Sequence, residues 1–144
     1  MSGPFGGGVF IPDASAFARA SRADVREEWR AATLGGQFCI CAPVEIELLV
    51  GARGAPEFEA RQESLAALRR VELTARAARS AVAALSELAR VSHGYQRVKP
   101  IDALIAACAQ EAGVGVLHYD HHYDRLAEVM AFESRWLSPP GSLD

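Results

Sequence analysis

Val114-Gly115-Val116-Leu117-His118-Tyr119-Asp120 decides the fold: an apolar run of strand length that closes on a carboxylate. Val9-Phe10-Ile11-Pro12-Asp13 has the same design near the start of the chain. In an open α/β sheet the carboxyl ends of parallel strands border a single crevice, where ligands bind. Asp13 and Asp120, remote in sequence, are therefore expected to face each other across that crevice. Clusters of such oxygen donors attract hard divalent cations, which serve phosphoryl-transfer chemistry.

Between these two runs, short apolar segments alternate with helical ones. The Ala- and Arg-rich stretch from Ser15 to about Ala32 reads as helical, with a break near Ser21, and Leu34-Gly35-Gly36 stops it. Phe38 to Cys41 is a short apolar strand, and Pro43 suits the first turn of a helix from about Val44 to Arg53. Pro56 opens a helix through about Arg70, and Val71-Glu72-Leu73 reads as a short strand. Thr74 is an N-cap for a helix from Ala75 to about Val91, and Ser92 to Lys99 is a polar loop. Pro100 starts a helix in which Ile101, Leu104, Ile105, Cys108, Ala109 and Ala112 recur at helical spacing before Gly113 ends it. A helix from Tyr123 to about Met130 and an edge strand from Glu133 to Leu137 complete the pattern. Strands alternating with helices imply parallel βαβ units and a small three-layer α/β domain.

The 144 residues suffice for one domain with a real core, taken as 9–144 behind a flexible glycine-rich leader, 1–8. Half the residues are hydrophobic and 23% are charged, which excludes a disordered chain, and the apolar stretches are far short of a membrane span. No secretory leader opens the sequence. Three cysteines (Cys39, Cys41 and Cys108) make no disulfide framework, so a reducing cytoplasm is the expected location. Cys39 and Cys41 read as buried small hydrophobes, because no second pair at zinc spacing accompanies them. The formal charge of −3 argues weakly against a nucleic-acid partner, but all but Lys99 of the 15 basic residues are arginine, whose planar fork suits phosphate.

Four acids are candidates for chemistry: Asp13, Glu47, Asp102 and Asp120. Each has a plainer structural explanation. Asp13 and Asp120 suit helix N-caps, with Ser15 able to cap or to orient Asp13. A helical glutamate is ordinarily solvated, and Glu45 competes with Glu47 on sequence pattern. Asp102 in a first helical turn is stabilised by the macrodipole, which would also keep it ionised for a metal. His121 and His122 adjoin Asp120, but the i, i+4 histidine pair of a zinc helix is absent. Taken together, the acids share one kind of topological position.

At these residues the chain resembles the PIN-domain ribonucleases, specifically the VapC toxins of type II toxin–antitoxin pairs. The resemblance runs from Val9 to about Gly141. It is carried by Phe10-Ile11-Pro12-Asp13-Ala14-Ser15, by Glu47-Leu48-Leu49-Val50-Gly51, by Pro100-Ile101-Asp102-Ala103-Leu104-Ile105-Ala106-Ala107 and by Leu117-His118-Tyr119-Asp120-His121-His122-Tyr123. The ending Glu133-Ser134-Arg135-Trp136-Leu137-Ser138-Pro139 resembles actinobacterial members. This register favours Glu47 over Glu45. Many members carry a further acid two residues after the fourth; here His122 holds that place, Tyr123 follows, and Asp124 is displaced along the chain.

The resemblance implies a metal-dependent endoribonuclease in which Asp13, Glu47, Asp102 and Asp120 hold one or two Mg²⁺ or Mn²⁺ ions. Water made acidic by the metal would attack the phosphodiester, with Ser15, His122 and Asp124 as auxiliaries. It also implies a homodimer silenced by a cognate antitoxin. Arg53, Arg97 and Arg125 lie near the motifs and are candidates for guiding RNA, against the plainer reading of surface solvation. Two rivals remain. A catalytically weak PIN-fold module that binds RNA or an antitoxin would accommodate His122, and a DNA-directed nuclease would use the same ligands. A response-regulator receiver would explain Lys99-Pro100, but that lysine follows a polar stretch, and the paired acids of a first strand are missing.

Overall fold

Phe10–Pro12 form β1, which pairs in parallel with β4 (Gly115–His118) in the register Ile11↔Val116. β4 pairs on its other side with β5 (Ser134–Trp136), again in parallel. β2 (Cys39–Cys41) and β3 (Arg69–Val71) form a second parallel pair. A single bridge, Phe10↔Phe38, joins the two pieces, so the strands run in the order β3-β2-β1-β4-β5. This is a computed structural model; it describes residues 3–144.

Alternation along the strands builds a core on each face of the sheet, because successive side chains point opposite ways. Phe10 and Leu117 face one side, with Phe5, Val25, Phe38 and Leu143. Ile11 and Val116 face the other, with Ile40, Val44, Leu88 and Ile105. On the first face α1 (Ala14–Phe17) and α2 (Arg26–Leu34) supply Ala16 and Trp29, and the Trp29 ring meets Phe17 edge to face at 5.1 Å. The other face is covered by α3 (Ala42–Val50), α5 (Ala75–Val91) and α6 (Pro100–Ala112). α4 (Ala55–Ala66) and α7 (His122–Ala127) complete the shell. The three-layer α/β domain expected from the strand pattern is what forms.

Two glycines are required by geometry. Gly113 caps α6 with φ 71°, a left-handed conformation that side chains disfavour. A Cβ on Gly115 would lie 2.7 Å from the Phe10 ring and 2.9 Å from the Glu133 carbonyl, so only glycine lets β1 and β5 close on β4. Thr74 caps α5 as expected, its hydroxyl accepting the Ala77 N–H at 3.0 Å. Cys39, Cys41 and Cys108 are free and buried, as small hydrophobes should be.

Several boundaries differ from the sequence reading. The break expected near Ser21 is present but wider than one residue, a run of turns across 18–25 between α1 and α2. The helix from Pro56 ends at Ala66, and Arg69 and Arg70 belong to a strand; β3 is an edge, where exposed charged side chains are tolerated. α7 ends at Ala127, three residues early. Of the glycine-rich leader, Met1 and Ser2 lie outside the described residues, but Gly3 to Gly8 packs on the domain. Phe5 is buried against Phe38, Gln37 Nε2 donates to the Gly8 carbonyl, and Arg135 donates to the Phe5 carbonyl. Among the described residues, no helix is long and apolar enough to cross a membrane.

Candidate active site

Asp13 leaves β1 with extended backbone and becomes the N-cap of α1. Its Oδ1 accepts the Ala16 N–H at 3.1 Å and the Ser15 hydroxyl at 2.6 Å. Ser15 Oγ in turn accepts the Tyr119 N–H at 2.8 Å. The ends of β1 and β4 are thereby stitched together, and the Asp13 carboxylate is held at their junction. Cap and site are the same residue here, so the plainer reading of Asp13 and the chemical one coexist.

Asp102 enters from the first turn of α6 and is only 2% exposed. Its Oδ1 accepts the Tyr123 hydroxyl at 3.1 Å, while Oδ2 is buried without any hydrogen-bond partner. Asp120 follows β4; its Oδ1 accepts the His122 N–H at 2.9 Å and its Oδ2 pairs with the Lys99 ammonium at 3.1 Å. His122 Nδ1 lies 3.4 Å from Asp102 Oδ2 and 3.8 Å from Asp120 Oδ1, and accepts the Lys99 N–H at 3.2 Å. Glu47, on α3, is half-buried and close enough for its charge to bear on both Asp102 and Lys99. Glu45 is drawn off by Arg70 at 2.9 Å, which separates the two glutamates that sequence pattern could not.

Crowding shows in the electrostatics. Burial pushes the Asp13 carboxyl up to about 7, against the lowering pull of Ser15 and Ala16, with Asp102 adding repulsion. Burial and the charge of Asp120 push Asp102 up to about 7 as well, with Glu47 adding to the effect. Burial also acts on Asp120, but the His122 N–H and the Lys99 ammonium outweigh it and hold that carboxyl below the usual range. Beneath the cluster His118 is fully buried, and that burial lowers its pKa to about 4. It is therefore neutral at physiological pH: Nδ1 accepts the Asp120 N–H at 3.2 Å, which leaves Nε2 to donate to Ser134 Oγ at 2.7 Å.

These donors fit a hard divalent cation. Buried carboxylate oxygen without a partner is costly, and a cation facing it removes that cost. Ligand atoms of Asp102, Asp120 and His122 all lie within 4.8 Å of one another.

The remaining candidates stand apart. Asp124 accepts the Trp136 indole N–H at 3.0 Å and the Ser134 hydroxyl at 3.2 Å, outside that cluster. Arg53 is exposed and paired with Glu57 at 3.1 Å. Arg125 stacks on Tyr95 and donates to its carbonyl. Arg97 is exposed beside Gly94. The sequence alone assigns no metal-site role to Lys99, His118 or Tyr123. Their partners lie across loops that no short pattern predicts. Lys99 opens α6 at the end of a loop, not of a strand, which removes the receiver's argument.

Residues 10–129 match the profile of the PIN domain. The chain is 37% identical over 136 residues to Ribonuclease VapC18 of Mycobacterium tuberculosis, covering 94% of this chain and 99% of that protein. The chain belongs to the PIN-domain family, in its VapC branch. Solved structures share the fold. VapBC2 of Rickettsia felis, bound to a fragment of promoter DNA, has a TM-score of 0.68 at 14% identity, covering 88% of this chain and 98% of that one. VapBC-5 of Mycobacterium tuberculosis, described as a toxin–antitoxin system, has a TM-score of 0.64 at 20% identity, covering 90% and 98%. Within this PIN domain the matched span takes in Asp13, Glu47, Asp102 and Asp120.

Proposed function

We propose that this VapC-family protein is the toxin of a toxin–antitoxin pair, an endoribonuclease using one or two Mg²⁺ or Mn²⁺ ions at Asp13, Glu47, Asp102 and Asp120. The observation that supports the reading is Asp102 Oδ2, buried and unpartnered, on a carboxylate that feels the charges of Asp120 and Glu47 and bears on Asp13. A divalent cation bound there supplies the positive charge that acidifies water and steadies a phosphodiester under attack.

The chain's own groups do the positioning. Ser15 and the Ala16 N–H fix the Asp13 carboxylate, and the Tyr123 hydroxyl fixes Asp102. Asp13 and Asp102, pushed up to about 7, release protons as a cation arrives, since ligands must be deprotonated. The exposed Lys99 ammonium at the mouth offsets the acidic charge that would otherwise repel an RNA backbone. Arg97 and Arg53 are exposed and can add to that attraction.

An antitoxin partner is supported by the likeness to toxin–antitoxin proteins and by a groove. A cavity of about 590 Å³ opens between α1, α3 and α4, lined by Ala14, Phe17, Leu48 and Leu65 together with Glu57 and Arg61. An apolar bed of this kind suits the apolar face of an amphipathic helix. Ile46 and Val50, exposed one turn apart on α3, support a homodimer. The three unbridged cysteines are consistent with a cytoplasmic location.

The test is incubation of antitoxin-free protein with total RNA and with DNA of matching sequence, under Mg²⁺ or Mn²⁺ and with EDTA. Discrete RNA fragments that vanish with EDTA are expected, with DNA intact. No cleavage under either cation would overturn the enzymatic reading in favour of a binding module, and cutting of DNA instead would overturn the substrate.

A further inference from the structure

We propose, resting on the cation-site reading above, that His122 gives this site a nitrogen ligand, so that it selects a first-row transition ion over Mg²⁺. The second atom pointing into the site is the buried, unpartnered Asp102 Oδ2. It faces His122 Nδ1 at 3.4 Å, and Asp120 Oδ1 lies 3.8 Å from that same nitrogen. Because His122 Nδ1 accepts the Lys99 N–H, it has no proton to give Asp102 Oδ2, and two acceptors at this distance repel unless something positive lies between them.

One competitor holds Nδ1 already. The Lys99 N–H donates to it at 3.2 Å, a long bond at an exposed position. That N–H belongs to the N-cap of α6, where no helical acceptor exists and water serves equally well. Asp102 Oδ2 has no such substitute, because it is buried. A cation that takes Nδ1 from Lys99 thus resolves an orphan at little cost.

Ligand chemistry sets the selectivity. Carboxylates and water suit Mg²⁺, whereas imidazole favours transition ions, with affinity rising from Mn²⁺ through Co²⁺. Mg²⁺ also demands near-ideal octahedral oxygen geometry and sheds water reluctantly. Two carboxylates and one imidazole therefore form a mixed set in which Mn²⁺ and Co²⁺ gain relative to Mg²⁺.

The experiment titrates metal-free protein with Mn²⁺, following free Mn²⁺ by electron paramagnetic resonance, with Mg²⁺ as competitor and pulsed spectra of the bound ion. Wild type is compared with His122→Asp, which restores an all-oxygen set, with His122→Asn as a second oxygen donor, and with Asp102→Asn. Circular dichroism establishes that each variant is folded. Nitrogen coupling to bound Mn²⁺ is expected in wild type and in neither His122 variant, with a preference for Mn²⁺ over Mg²⁺ that falls about tenfold in both of these, the scale on which site partners act, and with weaker binding of either ion by Asp102→Asn. Equal preference in wild type and both His122 variants, without nitrogen coupling, would overturn the role of His122 while leaving the cation site standing. No binding of either ion by wild type would instead overturn the site itself.

Discussion

Tyr123 donates its hydroxyl to Asp102 Oδ1 at 3.1 Å, leaving Oδ2 of the same carboxylate buried and bare. One oxygen is fixed by the protein and the other is reserved. Tyr123→Phe should remove the fixing bond and leave a second orphan on Asp102. A buried acceptor left unpaired costs about 1–3 kcal/mol, so urea denaturation of the metal-free variant should show a loss of that size, accompanied by slower RNA cleavage.

Asp102→Asn should separate stability from activity. Replacing one acid of a crowded cluster relieves repulsion, so the metal-free fold should be as stable as wild type or more so at about pH 8. Cleavage of RNA should be lost. A variant that is active and also folded would contradict Asp102 as a site residue.

Stability should also track pH in a defined direction. Asp13 and Asp102 are raised in the folded state from the ordinary value of 3.8 to about 7. Between these values the native state holds more protons than the unfolded one. The contribution is thus fully present below about pH 4 and is lost as pH rises through about 7. Asp120, held low, works in the opposite sense in a more acidic window, losing its contribution as pH falls. Metal-free protein should therefore lose up to about 4 kcal/mol for each of the two raised carboxyls between about pH 4 and pH 8. Excess Mn²⁺ should restore more stability at pH 8 than at pH 5, and parallel denaturation series with and without EDTA measure both.

Ser15→Ala and Thr74→Ala form an instructive pair. Ser15 joins Asp13 to the Tyr119 N–H, whereas Thr74 caps α5 with no contact to the acids. Each should cost about 1 kcal/mol of stability. Only Ser15→Ala should also slow cleavage. Equal activity losses in the two variants would show that the effect of Ser15 is merely global.

Much of this arrangement is legible in the chain. Apolar runs ending on Asp13 and Asp120 mark strand ends, and parallel pairing brings strand ends to a shared edge, so the meeting of two remote acids follows from period and topology. Thr74 and Gly113 announce a helix start and stop because caps are local chemistry. What stays hidden depends on distant partners. The choice of Glu47 over Glu45 becomes physical only when Arg70, 25 residues on, claims Glu45. Lys99 reads as one more exposed cation until it meets Asp120, and His118 reads as part of a strand until Ser134 meets its Nε2. Asp124 reads in the sequence as a displaced acid, and its link to the Trp136 indole, 12 residues on, is equally hidden there.

The most direct measurement is cleavage of total cellular RNA by wild type and by Asp13→Asn, Glu47→Gln, Asp102→Asn and Asp120→Asn, each free of antitoxin, folded by circular dichroism and supplied with Mn²⁺. Discrete fragments from wild type, with rates falling at least about 100-fold in all four variants, are predicted. Wild-type rates in any two of the variants would contradict a site built from these four carboxylates.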